Sequence, residues 1–137
     1  MKKSIEKSLL EVTNSFNLLN SKQVREEIYH SIQLILKSLK KGNKIIFCGN
    51  GGSAADSQHL SAELVGKYLK KRKAIASVSI TTDTSAITSI GNDMGFENIF
   101  SRQIESIGIQ SNRINRNSIK SNQSYVCSNN IRYLRTL

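Results

Sequence analysis

Apolar residues recur at the spacing of an amphipathic helix along the first forty positions of the chain. The first stripe lies within residues 4–19 and consists of Leu9, Val12, Phe16 and Leu19. The second stripe follows Ser21, a suitable N-cap, and consists of Val24, Ile28, Ile32, Ile35 and Leu39. Spacings of three and four positions place such residues on one helix face. The pattern predicts an N-terminal helical hairpin that packs either on another subunit or on the chain's own sheet.

The middle of the chain has the pattern of an α/β sheet. Residues 44–48 are apolar without alternation, which is typical of a buried parallel strand. Residues 54–70 predict a helix that ends in a basic cluster, residues 74–80 predict a second strand, and residues 97–107 predict another helix. Because strands and helices alternate, we expect an α/β fold with a parallel sheet.

A glycine-rich turn separates the first predicted strand from the helix behind it. Its glycines are Gly49, Gly51 and Gly52. Glycine takes positive φ at little cost, and its backbone N–H groups can approach an anion closely. A helix N-terminus adds unpaired donors and a partial positive charge. We therefore expect a phosphate cradle here, with Ser53 as the helix N-cap and a donor to a sugar or phosphate oxygen. Asp56 then completes a capping box.

His59 and Glu63 stand four positions apart on the predicted helix after this turn. Their side chains therefore share one helix face. A histidine and a carboxylate at this spacing can bind one metal ion or act as an acid–base pair, although such a pair also occurs as a solvated contact. We favour a functional role because the pair can face the cleft that the glycine turn opens.

Two polar turns follow the second predicted strand. The first, residues 81–85, can start another helix, and the second spans residues 92–96. Loops after parallel strands line the ligand crevice of α/β sheets. Asn92 and Asp93 in the second turn can hold sugar hydroxyls, or they can form an ordinary turn.

Composition narrows the classes of function. The 137 residues suit one domain, and their net charge is +10. Half of that charge comes from residues 109–137, which hold five cations and no acid, so we do not expect a nucleic-acid partner. No apolar run predicts a membrane span or a signal peptide, and two cysteines do not form a disulfide framework. We expect a cytoplasmic protein without a membrane partner.

Several motifs together resemble one family. They are Cys48-Gly-Asn-Gly-Gly-Ser53, His59-x-x-x-Glu63-Leu-x-Gly-x-Tyr68, Gly91-Asn-Asp-x-Gly-Phe96 and Phe100-Ser-Arg102. In this order and spacing they resemble the phosphoheptose isomerases of the sugar isomerase (SIS) fold, over about residues 4–108. The resemblance implies a parallel sheet flanked by helices. It also implies a homotetramer with active sites between subunits, in which the N-terminal helices take part.

The same resemblance implies a reaction and the residues that perform it. The reaction converts sedoheptulose 7-phosphate to D-glycero-D-manno-heptose 7-phosphate through an enediol, the first step toward ADP-heptose and the lipopolysaccharide core. Glu63 matches the catalytic base, and His59 matches a ligand of the zinc that some members carry, with Glu63 beside it as a second candidate ligand. The substrate-binding residues that match are Asn50, Gly51, Gly52, Ser53, Asn92 and Asp93.

The resemblance stops near Gly108. The family continues there with an apolar strand, a Ser/Thr-rich phosphate loop, further βα units, and a late helix bearing a histidine and a glutamine. Residues 109–137 contain none of these and show no clean helix or strand period. We therefore expect a partial SIS domain over residues 1–108 with an incomplete sheet. Residues 109–137 are expected to be a basic tail outside the family, disordered or translated out of frame, and isomerase activity to be low.

Two other functions remain open on the sequence. SIS-fold proteins include non-catalytic relatives, such as one that associates with the replication initiator DnaA, and the chain can also be a fragment without function. A scaffold does not need the pair His59 and Glu63, which favours the isomerase.

Overall fold

The computed structural model describes residues 2–107 and the backbone of residues 125–128 and 134–135. It divides the chain into two compact units, Met1–Leu34 and Ile35–Leu137. The helices are α1 (Lys2–Leu19), α2 (Lys22–Lys40), α3 (Gly52–Val65), α4 (Thr84–Met94) and α5 (Ser101–Ile107), with a short 3-10 helix at Phe96–Asn98. The strands are β1 (Ile45–Cys48), β2 (Ser77–Ser79), β3 (Tyr125–Ser128) and β4 (Leu134–Arg135).

Both helices predicted from the N-terminal stripes are present. The Ser21 hydroxyl accepts a hydrogen bond from the Val24 N–H at 3.4 Å, which confirms Ser21 as the cap of α2. α1 buries none of its residues, and its large apolar side chains are all exposed. Within the described residues, none of the helices combines the length and the apolar character needed to cross a lipid bilayer.

The sheet of the second unit has the strand order β2-β1-β3-β4. β1 and β2 are parallel, with Ile45 opposite Ser77 and Phe47 opposite Ser79, so the predicted strand–helix–strand unit is confirmed. β3 lies antiparallel along the other edge of β1, and β4 pairs with β3. The sequence shows no strand period in this region. Pairing with β3 satisfies the backbone groups on the second edge of the buried strand β1.

Helices cover both faces of the parallel pair. Successive strand residues face opposite sides, so Ile46 and Cys48 share one face with Ile80. The buried cluster on that face is Ile46, Cys48, Ile80, Ile99, Phe100 and Ile104. On the other face α3 packs closely through small polar residues. The Ser77 hydroxyl donates to the Ser61 carbonyl oxygen at 3.0 Å. The predicted α/β architecture is confirmed: two of its strands form a small parallel pair, in a sheet that does not close.

The predicted end of α3 is wrong by five residues. The helix ends at Val65 and not at residue 70, because the chain leaves the helical path at Gly66, whose N–H donates to the Ala62 carbonyl oxygen at 2.8 Å. The basic cluster therefore lies beyond the helix. The predicted interaction of a cation with the helix C-terminus is still present, through the guanidinium of Arg72.

The predicted turn over residues 92–96 is also displaced. α4 begins where Asp83 accepts a hydrogen bond from the Ala86 N–H at 2.9 Å, as the polar turn before it predicts. Ile87 and Ile90 pack against the core and keep the chain helical through Met94. The turn comes at Gly95, whose φ of 93° ends the helix. Asn92 and Asp93 consequently lie in the last turn of α4.

Candidate functional site

The candidate site lies at the carboxyl end of the two parallel strands. The turn that follows β1 and the loop that follows β2 emerge at the same edge of the sheet. The hydroxyl of Thr81 in the second loop reaches the carbonyl oxygen of Ala54 behind the first turn, at 3.5 Å, and lies 2.8 Å from the Ser79 hydroxyl. Open α/β sheets bind ligands in the crevice at this edge.

Two of the three glycines in the turn are required by its geometry. Gly51 has a φ of 54°, in the left-handed region. Gly49 has no positive φ, but a Cβ there would lie 2.6 Å from the Ser53 carbonyl oxygen. Gly52 has neither a positive φ nor a near neighbour within 4 Å. The expectation of positive φ is therefore confirmed at Gly51 alone.

The predicted capping box is wrong. The N-cap of α3 is Gly51, which has no side-chain cap, and Ser53 already lies within the helix. The N–H of Ser53 donates to the Asn50 carbonyl oxygen at 3.0 Å. Because Gly51 can turn the chain into the helix two residues early, Ser53 loses the cap position. Asp56 is exposed on the helix surface.

The turn keeps several hydrogen-bond donors unused. The side-chain nitrogen of Asn50 is buried, and among the described residues it has no hydrogen-bond partner. Within residues 2–107, the N–H groups of Gly51 and Gly52 donate to no backbone carbonyl. A buried donor without a partner costs about 1–3 kcal/mol, and natural proteins rarely keep one without a ligand or a water to accept from it. The turn therefore offers donors for an oxygen-rich ligand.

His59 and Glu63 share one face of α3, as their spacing predicts. The Nε2 of His59 lies 3.9 Å from the Oε1 of Glu63, and the two side chains are 74% and 33% exposed. Zinc in proteins takes three or four such ligands. The described part of the chain brings no third His, Cys, Asp or Glu to them. These two residues do not make a zinc site by themselves.

Among the described residues, no hydrogen bond connects Asn92 or Asp93 to the glycine turn. Both are exposed, and the Asn92 side-chain nitrogen donates to the Asp93 carboxylate at 3.0 Å. Within residues 2–107, no hydrogen bond or ion pair joins either residue to Glu63 or to the glycine turn. Their role in holding a sugar stays a prediction.

Sequence reasoning missed the link between Arg72 and Glu63. The guanidinium of Arg72 donates to the carbonyl oxygens of Glu63 at 2.7 Å and Leu64 at 2.8 Å. The available signal was a single arginine among lysines, shortly after the glycine that ends α3. The contact spans nine positions, and the chain is irregular after Val65, so periodicity could not find it.

Comparison with known families and proteins identifies the family to which this chain is similar. The family model described as SIS domain matches residues 11–112. A phosphoheptose isomerase of Campylobacter jejuni subsp. jejuni serotype O:6 is 56% identical over 88 residues, which are 64% of this chain and 47% of that protein. A phosphoheptose isomerase of Akkermansia muciniphila is 47% identical over 108 residues, which are 79% of this chain and 56% of that protein.

Two solved structures of phosphoheptose isomerases are also similar to this chain. The phosphoheptose isomerase GmhA from Neisseria gonorrhoeae matches with a TM-score of 0.66 and 37% identity, over 78% of this chain and 54% of that chain. A phosphoheptose isomerase from Francisella tularensis matches with a TM-score of 0.68 and 25% identity, over 79% of this chain and 56% of that chain. The chain spans about half the length of the curated relatives it matches.

Proposed function

The chain belongs to the SIS domain family, and we propose that it carries the half of a phosphoheptose isomerase active site that holds the base. One observation carries the proposal. The buried amide of Asn50, without a partner among the described residues, lies in the turn that opens the helix bearing Glu63. A sugar phosphate supplies the oxygen acceptors that this turn lacks. The phosphoheptose isomerases to which the chain is similar support this substrate class.

The chemistry requires a base that moves a proton between two neighbouring carbons. With sedoheptulose 7-phosphate, the Glu63 carboxylate removes a proton from C1, and the electron pair of that C–H bond forms the C1–C2 double bond. The oxygen on C2 gains a proton, which gives the enediol. Return of a proton to C2, with loss of the proton on the C1 hydroxyl, gives D-glycero-D-manno-heptose 7-phosphate.

The length of α3 sets how far one substrate must reach between the glycine turn and Glu63. Gly52 and Glu63 are eleven residues apart, which is about 16 Å along a helix at about 1.5 Å per residue. Eight bonds of about 1.5 Å separate the phosphorus from C1, so the substrate spans at most about 12 Å. The length along the helix is a backbone distance, and the Glu63 side chain and the hydrogen bonds to the phosphate shorten the gap that the substrate must span, so the length of α3 does not exclude a single copy that supplies both parts. The expectation that one chain's turn and carboxylate face a single cleft stays a prediction.

We propose that the turn of one copy and Glu63 of a second copy form the complete arrangement. The exposed apolar side chains of α1 support such an assembly, because a surface of this kind is normally covered in an oligomer. A homotetramer, as the resemblance implies, provides such pairs. The proposed setting is the cytoplasm, where the product would enter the synthesis of ADP-heptose for the lipopolysaccharide core.

The overall reaction also needs a second proton-transfer group, which delivers a proton to C2. No histidine follows His59 within these 137 residues, so they supply no second histidine to deliver the proton at C2 in the proposed site. We therefore expect slow conversion to the aldose. Removal and return of the C1 proton needs only the base, so exchange of that proton with solvent remains the measurable reaction.

Solvent exchange tests this function. The chain is incubated with sedoheptulose 7-phosphate in D2O, and deuterium at C1 is followed by NMR. We expect deuterium uptake by the wild-type chain, loss of uptake in Glu63→Gln, and wild-type uptake in the control Glu97→Gln, an exposed acid on the 3-10 helix. Equal uptake by the Glu63→Gln variant and the wild type contradicts the proposal, and so does the absence of uptake by the wild type.

A further inference from the structure

We propose that Arg72 is a positioning residue for Glu63, an assignment that rests on the proposed role of Glu63 as the base. The guanidinium of Arg72 is partly buried and donates to three carbonyl oxygens. Nη2 donates to Glu63 at 2.7 Å, and Nη1 donates to Leu64 at 2.8 Å and to Lys73 at 3.1 Å. The side chain therefore ties the loop after α3 to the backbone of Glu63 itself.

The end of α3 needs these donors. The last carbonyls of a helix have no partner within the helix, and they carry its partial negative charge. The Gly66 N–H takes the Ala62 carbonyl, and the Ile75 N–H reaches the Leu64 carbonyl at 3.0 Å. Arg72 supplies the donor to Glu63 and a cation at the same end. Its rigid fork matches two successive carbonyl oxygens, which a lysine ammonium cannot do in the same way.

The carboxylate of Glu63 has little else to fix it. Its side chain is 33% exposed, and its ion-pair partner is His59, at 3.9 Å and itself 74% exposed. An exposed histidine at this distance restrains a carboxylate weakly. The position of the Glu63 backbone, which Arg72 holds, therefore decides where the carboxylate stands.

Three variants of the full chain test the assignment. Arg72→Gln removes the charge and the fork, Arg72→Lys keeps the charge, and Lys71→Gln makes the same charge change at the neighbouring exposed residue. In Arg72→Gln we expect amide hydrogen exchange at Gly66 and Ile75 to accelerate about tenfold or more, because hydrogen bonds from charged donors are the strong ones. Lys71→Gln should exchange like the wild type, and Arg72→Lys should be intermediate.

A second measurement separates positioning from simple stabilisation of the helix end. The side-chain carboxyl 13C signal of Glu63, assigned by its loss in Glu63→Gln, should shift and broaden in Arg72→Gln. It should stay in place in Lys71→Gln and return in part in Arg72→Lys. Unchanged amide exchange in Arg72→Gln overturns the assignment. Faster amide exchange with an unmoved Glu63 signal also overturns it, because Arg72 then holds the helix end alone.

Deuterium uptake distinguishes a failure of the Arg72 assignment from a failure of the proposed function. If the wild type takes up deuterium at C1 of sedoheptulose 7-phosphate, Arg72→Gln should lower the maximal uptake rate and leave the half-saturating concentration unchanged. If the wild type takes up none, the proposed function fails. The exchange rates and the Glu63 signal still decide whether Arg72 holds Glu63.

Discussion

Helix α1 and strand β1 differ sharply in the exposure of their apolar side chains. Every residue of β1 is at most 7% exposed, because helices cover both sheet faces and strands flank both edges. In α1 the large apolar side chains are between 49% and 71% exposed. The sheet thus gains its hydrophobic stabilisation within one chain. The apolar side chains of α1 can gain theirs in an assembly, and the predictions below test this difference.

The largest effect is expected in the core. Phe100 is 1% exposed and packs among buried isoleucines below the sheet. Phe100→Ala should lower the free energy of unfolding by about 3–5 kcal/mol, through lost burial and the cavity left behind. Denaturant unfolding followed by circular dichroism measures this. The matched substitution Phe16→Ala in α1, where the ring is 66% exposed, should change the free energy of unfolding of the dissociated chain by less than about 0.5 kcal/mol. Equal losses of unfolding free energy at Phe100 and Phe16 would contradict the difference between the core and α1.

Assembly is the next test of the same contrast. Introducing a charge into the exposed apolar face of α1, as in Leu9→Glu, should shift sedimentation from oligomer to monomer, because burying an unpaired carboxylate is costly. The same change at Lys3, Lys3→Glu, lies outside the apolar stripe and is the control. A wild-type chain that sediments as a monomer at high concentration would show that α1 has no partner copy.

A smaller effect is expected in the glycine turn. Gly49→Ala places a Cβ 2.6 Å from the Ser53 carbonyl oxygen, so this backbone must shift, at a cost of about 1–3 kcal/mol. Gly52→Ala meets nothing within 4 Å and has no positive φ. It should be neutral or stabilising by up to about 1 kcal/mol, because alanine loses less entropy on folding. Thermal unfolding of both variants is the measurement. The reverse order of stability would show that the turn differs from the one described.

The smallest expected effect on stability is at Asn50. Its buried amide nitrogen has no partner among the described residues, so Asn50→Ala breaks no hydrogen bond of that nitrogen and should be close to neutral in denaturant unfolding. Titration with sedoheptulose 7-phosphate should show at least about tenfold weaker binding, since one good hydrogen bond contributes about that factor. A clear loss of stability with unchanged binding would mean that the amide serves the fold.

These contrasts also show what the sequence could predict. The stripes of α1 and α2, the uniformly apolar β1 and the alternation of strands and helices follow from period and composition, which are local properties. The cap of α3 depends on the φ of Gly51, and its end depends on Gly66, which stops the helix before the basic residues. Neither is visible in a hydrophobic period.

The candidate site was predicted only in part for the same reason. The shared face of His59 and Glu63 follows from their spacing, and the structure has it. The unpartnered amide of Asn50 and the contact of Arg72 with the Glu63 carbonyl depend on three-dimensional packing of irregular segments. The helical placement of Asn92 and Asp93 depends on the packing of α4 against the core, which outweighs the turn preference of those residues.

Subunit complementation tests the central claim most directly. Glu63→Gln keeps the turn and lacks the base, whereas Asn50→Ala combined with Gly49→Ala keeps the base and lacks an intact turn. Each alone should leave the C1 proton of sedoheptulose 7-phosphate unexchanged in D2O. Unfolded together and refolded as a mixture, they should regain about a quarter of the wild-type exchange rate, because that share of randomly paired sites receives both intact parts. A mixture no more active than its components would contradict a site built from the turn of one copy and Glu63 of another.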